Sequence, residues 1–371
     1  METLKIDGSI GHGGGQILRS ALALSAILGK PFEMHSIRKD RNQSGLRRQH
    51  LCGVLATAEI CGAKLEGAEL GSEDLLFIPK KIKAGTYQFA VRTGGSVSLV
   101  LQSVLLPLTV QKMKSHISVA GGTYTPQAPT AEFFAETLVP RMNQMGYSIQ
   151  AEIARAGFFR IGGGLVKVGC CRKDTFMPVY WMNKETPRKC FIQIVTSQFP
   201  EKTTLKIAKL IREELSKMRN MIPYELEITE NPDIEEPGAA VIVRTTGRNP
   251  TVFSEIAQYG YTSEALVRSL DKQIRGFLAA SAPIETHLAD QIILPLFFAA
   301  GGSFLTKGLS EHLESCIKVL ELFTGQKVKT EKDGKCLVVN VPKFKRENND
   351  QRKRFRGIES SQSCRDQSRT L

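Results

Sequence analysis

Several features are missing from this 371-residue chain. It has no run of about 18 uninterrupted apolar residues, the length a membrane-spanning helix needs. The longest candidate, residues 99–110, is broken by Gln102 and Ser103. The N-terminus, Met1-Glu2-Thr3-Leu4-Lys5, lacks the apolar stretch and small-residue cleavage site of a signal peptide. These absences predict an intracellular protein with no membrane insertion, cytoplasmic or, in a eukaryotic cell, nuclear. Eight cysteines are scattered without a C-x-x-C pair, which argues against a zinc ribbon and predicts free thiols, several in the core. There is no Walker loop and no G-x-G-x-x-G fingerprint with its downstream acid, so the two common nucleotide motifs do not apply. Six histidines are too many for a histidine nucleophile to emerge by counting.

What is present is a globular composition, 42% hydrophobic, enough to bury a core. The length suggests two domains, or one large domain with an insertion. Lys and Arg number 50 against 37 Asp and Glu, a net charge of +13. That surplus points to an anionic partner: nucleic acid, nucleotide or an acidic membrane surface.

A Gly-Gly pair recurs between a strand-like segment and a helix pattern. It stands at Gly14-Gly15 before residues 16–28 and at Gly94-Gly95-Ser96 before residues 97–106. It returns at Gly121-Gly122-Thr123 before residues 131–142 and at Gly301-Gly302-Ser303 before residues 311–323. Ile17, Leu18, Ala21, Leu24 and Leu28 show the three- and four-residue apolar spacing of an amphipathic helix. The recurrence reads either as repeated α/β units or as plain turn punctuation.

The middle of the chain differs. Residues 190–197, 225–229 and 240–245 read as strands, 202–218 as a helix, and a further helix begins near Ser263. This predicts a small α/β domain over residues 186–271, inserted into a body formed by 1–185 and 272–341. Residues 342–371 have no apolar period and carry nine Lys or Arg against four acids, net +5. They predict a solvated, disordered basic tail.

Four segments carry candidate chemistry. The glycine run Gly11-His12-Gly13-Gly14-Gly15 precedes Gln16 and Arg19. Its backbone N–H groups and the following helix N-terminus would favour an anion. Arg38, Lys39, Arg41, Arg47 and Arg48 form a basic run beside Gln49-His50, with Arg supplying planar forks for phosphate oxygens. That run also fits a solvated charged face. Thr286-His287-Leu288-Ala289-Asp290-Gln291 opens an apolar helix, either as a site for a metal-bound nucleotide or as an ordinary first turn. Ser310-Glu311-His312 opens another helix.

Together these segments resemble the RNA 3'-terminal phosphate cyclases from about Leu4 to Val341. The match runs through Asp7-Gly8-Ser9, residues 13–19, Arg38 with Arg41, residues 45–51, residues 66–72 and Gly95-Ser96 with Gln102. It continues through Gly121-Gly122-Thr123, Ala128-Pro129, the Gly162–Gly164 triplet, residues 287–291 and Ser310-Glu311-His312. The resemblance implies an α/β fold of repeated units, each a four-stranded sheet with two helices, like the C-terminal domain of a bacterial translation initiation factor. A smaller α/β domain is inserted late in the chain. The implied activity is ATP-dependent conversion of an RNA 3'-phosphate to a 2',3'-cyclic phosphodiester through a histidyl–AMP intermediate, with Mg²⁺ or Mn²⁺.

By the same resemblance His312 is the nucleophile. Gln102, His287, Leu288, Ala289, Asp290 and Gln291 line the ATP site. Arg19, Arg38, Arg41 and Gln49 meet phosphates or the RNA end. His12 and Asp290 are candidate metal ligands.

The chain departs from the family pattern at four places. His12 stands where the family has an acid in its first glycine loop, and imidazole suits Mn²⁺ better than Mg²⁺. Arg92-Thr93-Gly94-Gly95-Ser96 replaces a Thr-Ala-Gly-Ser segment, Ser315-Cys316 replaces Thr-Asn, and Phe159-Arg160-Ile161 replaces Tyr-Pro. These departures support an alternative: a noncatalytic homologue that binds RNA or serves ribosome biogenesis. The sequence leaves the oligomeric state open.

Overall fold

The structure, a computed structural model, describes residues 2–216, 223–231, 234 and 236–345. The N-terminal unit comprises β1 (Leu4–Asp7), a short α1 (Ile10–Gly13), α2 (Gly15–Leu28), β2 (Phe32–His35), α3 (Arg48–Cys61), β3 (Lys64–Glu66) and β4 (Leu75–Ile78). β1 runs parallel to β2, and β4 is antiparallel to both β2 and β3, giving the order β1-β2-β4-β3. The second unit repeats this plan. It holds β5 (Thr86–Ala90), α4 (Val97–Thr109), β6 (Ser115–Gly121), a π-helix (Phe133–Leu138) running into α5 (Val139–Gln144), β7 (Tyr147–Arg155) and β8 (Gly164–Arg172), in the order β5-β6-β8-β7.

The third unit begins with β9 (Val179–Trp181) and is then interrupted. The interruption comprises β10 (Cys190–Ser197), α6 (Glu201–Ser216), β11 (Tyr224–Glu230), β12 (Gly238–Thr245), β13 (Val252–Ile256) and α7 (Ser263–Ala279). The unit resumes with α8 (Thr286–Phe298), β14 (Gly302–Thr306), α9 (Glu311–Thr324), β15 (Lys329–Asp333) and β16 (Cys336–Val341). β9 still pairs parallel with β14, restoring the same order, β9-β14-β16-β15. The interrupting sheet is wired differently, β11-β10-β12-β13. It has its own core of Cys190, Ile192, Ile194, Ile207, Ile211, Val241, Val243, Phe253, Leu266 and Ile274. α7 contributes to that core and runs on past Asp271 to Ala279.

Local chemistry explains the elements. Ser310 caps α9 by accepting from Leu313 N, and Gly325 ends it in the left-handed region, where a Cβ is penalised. α4 departs from the expected amphipathic helix. It is wedged between α2, α3 and β6, so Val97, Ser98, Val100, Leu101, Val104 and Leu105 are buried around its circumference. The segment expected as one helix over 131–142 is a π-turn followed by an α-turn. Val139 N bonds to Phe134 O, five residues back. Pro140 has no N–H to bond the Glu136 carbonyl, which favours the wider ring. The last Gly-Gly pair also differs from the other three, since Gly301-Gly302 joins a helix to a strand.

The helices α2, α3, α4, α8 and α9 pack on one another inside the body. Ile17, Leu22, Val54, Leu101, Ile293, Phe297, Leu313 and Leu320 lie in that main core. The inserted domain docks on the second unit. Arg244 of β12 pairs with Glu136 at 2.8 Å, and Val252 N donates to Thr137 Oγ1 at 2.9 Å. Lys184, leading into the insert, places its ammonium on the carbonyls of Phe277, Leu278 and Ala280 that lead out of it.

Residues 342–345 are anchored rather than loose. Phe344 packs at a tilt against Phe297 and Phe298, with centroids 5.4 Å from each, and its N–H bonds Phe297 O at 2.9 Å. The rest of the expected tail, 346–371, lies outside the described residues. All seven described cysteines are free. Burial raises Cys61 and Cys190 to about 11 and Cys170 and Cys316 to about 12, so these thiols stay protonated and act as small apolar packers. Among the described residues no helix is long and apolar enough to cross a membrane.

Candidate active site

The N-terminal halves of α2, α4, α8 and α9 converge, although they belong to three different units. Gly14 and Gly15 make the convergence possible. A Cβ on Gly14 would stand 3.5 Å from His312 Cε1 and 3.8 Å from Arg41 Nη2. A Cβ on Gly15 would stand 2.6 Å from His50 Nε2 and 3.0 Å from Arg19 Nη1. The glycine run therefore lies directly against a histidine of α9 and the arginines of the first unit. Gly11 fixes α1 on α9 in the same way: φ is +62° and Ser315 Oγ occupies the space a side chain would need.

Arg19 Nε donates to Gln102 Oε1 at 3.0 Å, and its Nη2 donates to Gln16 Oε1. Gln102 Nε2 donates to Gln291 Oε1 at 2.7 Å, and Gln291 Nε2 donates to the His287 carbonyl at 2.6 Å. Glu285 caps α8 by accepting from His287 N at 2.9 Å, and also meets His287 Nδ1 at 3.1 Å. One polar chain thus crosses all three units.

Beneath it, Asp290 is buried beside Arg19. Burial raises the Asp290 carboxyl to about 7, with Arg19 opposing and Glu285 adding to the rise. Burial lowers Arg19 to about 10, with Asp290 opposing, so the guanidinium is still charged at neutral pH.

His312 is exposed at the first turn of α9. Its pKa is lowered by partial burial and by the charges of Arg19, His287 and Arg41. The imidazole is therefore neutral at physiological pH and keeps a lone pair free. His287 has the opposite bias: its bond to Glu285 raises it.

His312, His287 and Glu285 share a cleft of about 400 Å³ with Pro129 and Phe133 of the second unit and Phe253 of the inserted domain. The insert supplies one mixed wall, Phe253 and Ile256 beside the polar Glu255 and Gln273, and another wall carries the histidines. A smaller cavity, about 50 Å³, lies behind Arg19, Gln102 and Asp290.

On the other side of the glycine run sits the basic cluster. Arg38 holds φ +57° and its Nε is buried with no hydrogen-bond partner among the described residues. Burial and the charges of Arg41 and Arg47 lower its pKa. Gln49 Oε1 accepts from Ser96 N at 3.2 Å, which ties α3 to the turn before α4.

Most of the residues singled out from the sequence thus meet in one place: Arg19, Arg38, Arg41, Gln49, Gln102, His287, Asp290, Gln291 and His312. Leu288 and Ala289 do not reach the cleft. Both are fully buried in the main core, as the inward face of α8 requires. The His12 side chain lies outside the described residues.

Sequence reasoning missed two participants, Glu285 and Phe253, and named His50 only as a neighbour of the basic run. Glu285 is a cap residue of an unusual type, with no sequence signal of its own. His50 is a buried histidine pressed on Gly15. Burial and then Arg38, Arg19 and Arg47 lower it to about 3. Phe253 is supplied by β13, a strand that was not foreseen.

Among the described residues no three His, Cys, Asp or Glu side chains form a metal site by themselves. Glu285 Oε1 is buried without a hydrogen-bond partner, and Asp290 lies close enough to feel its charge. These two acids could contribute oxygens to a cation only alongside ligands from a substrate.

The fold and site define a class: an α/β protein of three like units, one of them split by an inserted domain, with a composite cationic site at converging helix N-termini. The family model for RNA 3'-terminal phosphate cyclase matches residues 10–330. The chain is 36% identical over 324 residues to the RNA 3'-terminal phosphate cyclase of Ectopseudomonas mendocina, covering 86% of this chain and 92% of that one. The corresponding protein of Pseudomonas fluorescens is 35% identical, covering 87% and 92%. That of Koribacter versatilis is also 35% identical, covering 87% and 90%. The chain belongs to the RNA 3'-terminal phosphate cyclase family.

Proposed function

We propose that this protein uses ATP to convert an RNA 3'-terminal phosphate into a 2',3'-cyclic phosphodiester, with His312 as the nucleophile. The observation that carries the reading is the state of His312: exposed in a nucleotide-sized cleft, lowered in pKa, and backed by Gly14 and Arg41. A neutral imidazole can attack the α-phosphorus of ATP; the bond to the β-phosphate oxygen breaks and pyrophosphate leaves.

A 3'-phosphate is a poor electrophile, because its own charge repels a nucleophile and its oxygens leave badly. Transfer of AMP from His312 to a 3'-phosphate oxygen supplies a leaving group. The adjacent 2'-hydroxyl then attacks the 3'-phosphorus, the ring closes and AMP departs. That step is intramolecular, so positioning contributes much of the rate.

In this reading Arg19, Arg38 and Arg41 meet the phosphates, and Gln49 meets the RNA end. Gln102, His287 and Gln291 hold the nucleotide side of the site, and Phe133 and Phe253 wall it from solvent. A divalent ion, Mg²⁺ or Mn²⁺, would be held by Glu285 and Asp290 with phosphate oxygens, and would offset the charge of the triphosphate.

The test is incubation with α-labelled ATP in either metal. Retained label on the wild-type protein, lost in His312→Ala, is the expected result. No label in Mg²⁺ or Mn²⁺ sinks the enzyme reading and favours the noncatalytic RNA-binding homologue to which His12 points.

A further inference from the structure

The β7–β8 hairpin ends in a tip, Phe159-Arg160-Ile161, that no residue role above uses. Phe159 is 50% exposed and Ile161 56% exposed. Large apolar side chains held out in water at a hairpin loop add nothing to a core.

The tip is nevertheless held rigidly. Gly94 N bonds the Arg160 carbonyl at 2.7 Å, Gly162 N bonds Phe158 O at 2.9 Å, and Ile161 N bonds Glu236 Oε2 at 2.6 Å. Phe158 is buried beneath, where a Cβ on Gly238 would meet its ring at 2.5 Å. These contacts hold Arg160 at φ +105°, a conformation costly for a residue with a side chain. The strain is maintained by two neighbouring elements, the glycine turn and the inserted domain, and its effect is to present Phe159 outward.

The surroundings are cationic. Arg155 is exposed beside the tip, its Nε bonded to the Gly163 carbonyl, and Arg92 is exposed two residues before the Gly94 that holds the tip. Arg160 is 72% exposed, and its Nε is 4.0 Å from Glu236 Oε1, so its charge is partly answered. The tip also adjoins the site. The Gly94 backbone that carries it continues into Gly95, where a Cβ would lie 3.3 Å from Gln49 Cβ.

An exposed aromatic ring among arginines is the arrangement that binds unpaired bases: the ring stacks on the base face, and the cations follow the phosphates. A folded protein partner would be expected to meet a broader, less charged apolar patch.

We infer that Phe159 is a stacking platform for a base of the RNA strand that precedes the 3'-terminal nucleotide, with Arg92, Arg155 and Arg160 along its backbone. This rests on the RNA reading above and extends it from the terminus to the strand behind it. The strand would pass from the tip over Gly94-Gly95 to Gln49.

The experiment is equilibrium binding, without ATP, of a short single-stranded RNA bearing a 3'-phosphate. Phe159→Ala should weaken binding about tenfold, the loss of one stacked base. Phe159→Trp should retain affinity, and its fluorescence should be quenched when RNA is added, because the chain's own single tryptophan, Trp181, is buried. Unchanged affinity in Phe159→Ala, or an unquenched Trp at this position, overturns the assignment. Loss of RNA affinity in Phe159→Ala together with absent self-labelling supports the platform and sinks only the cyclase reading.

Discussion

Arg19 and Gln102 are 83 positions apart, yet Arg19 Nε donates to Gln102 Oε1 at 3.0 Å. Gln102 uses its other amide atom on Gln291, so one side chain of α4 spaces a residue of the first unit from a residue of the third. Gln102→Leu conserves volume but leaves Arg19 Nε and Gln291 Oε1 without these partners in a half-buried place. The expected cost is about 1–3 kcal/mol in urea unfolding. Self-adenylylation should fall about tenfold or more, because Arg19 loses its orientation. An unchanged midpoint with unchanged labelling shows that the bridge has no energetic role.

Asp290 gives a pH prediction of definite sign. Its folded carboxyl titrates at about 7, against 3.8 for its ordinary value. Between those values the folded protein keeps a proton that the unfolded chain has released. Stability from this group is therefore present at low pH and falls as pH rises toward 7, then stays flat. Asp290→Asn should remove that slope and make the protein more stable above pH 7 by roughly 1–4 kcal/mol. His50 acts in the opposite sense. It stays neutral down to about 3, whereas the unfolded residue protonates at 6.5, so its contribution is lost as pH falls below 6.5. Urea unfolding across pH for the wild type, Asp290→Asn and His50→Gln separates the two. Parallel curves for all three count against both assignments.

Gly15 opens a helix, where alanine is normally the better residue by about 0.5–1 kcal/mol. Here the added methyl would stand 2.6 Å from Nε2 of a histidine that is itself buried and held by Arg47 N at its Nδ1. Gly15→Ala should destabilise by about 1–3 kcal/mol, as overpacking does. In the His50→Ala background the same change should cost less, giving clear non-additivity in a double-mutant cycle. Additive effects indicate that the imidazole moves away freely.

Much of this architecture could be read from local pattern. Residues 190–197 form β10, with both ends as read; burial alternates over its first half, and residues 194–197 are buried on both faces. Ser310 and Gly325 bracket α9, and Ser263 opens α7. The arginines, the glutamines and His312 are assigned to one site by family resemblance; the structure itself joins Arg19 to Gln102 and Gln102 to Gln291, and sets Gly14 against His312 and Arg41. Other features depended on long-range partners. Val252–Ile256 is a strand because β12 offers it an edge, and nothing in its own five residues requires that. Leu288 and Ala289 sit within a motif but on the inward side of α8, a matter of helix phase. Glu285 acts through a hydrogen bond to a residue two positions on and a carboxyl oxygen left open, and neither has a sequence signature. Phe344 lay hidden in a polar, basic stretch where one aromatic carries no periodicity.

That last residue decides where the chain can be cut. Phe344 fills a position between Phe297 and Phe298, and the Lys345 backbone bonds Gln326 in both directions, at 3.1 and 2.9 Å. A chain ending after Val341 loses an aromatic cluster on α8, the helix that carries His287 and Asp290. Truncation of a packed aromatic costs on the order of 3–5 kcal/mol. A chain ending after Lys345 keeps the cluster and removes only residues 346–371, whose seven Lys or Arg and four acids leave net +3. The longer form should match full-length thermal stability and bind RNA with a weaker dependence on salt, since fewer cations contact phosphate. The shorter form should melt several degrees lower and label poorly with ATP. Equal melting of the two forms shows that Phe344 packs without stabilising α8. An unchanged salt slope after removal of 346–371 assigns the RNA affinity to the arginine clusters of the body alone.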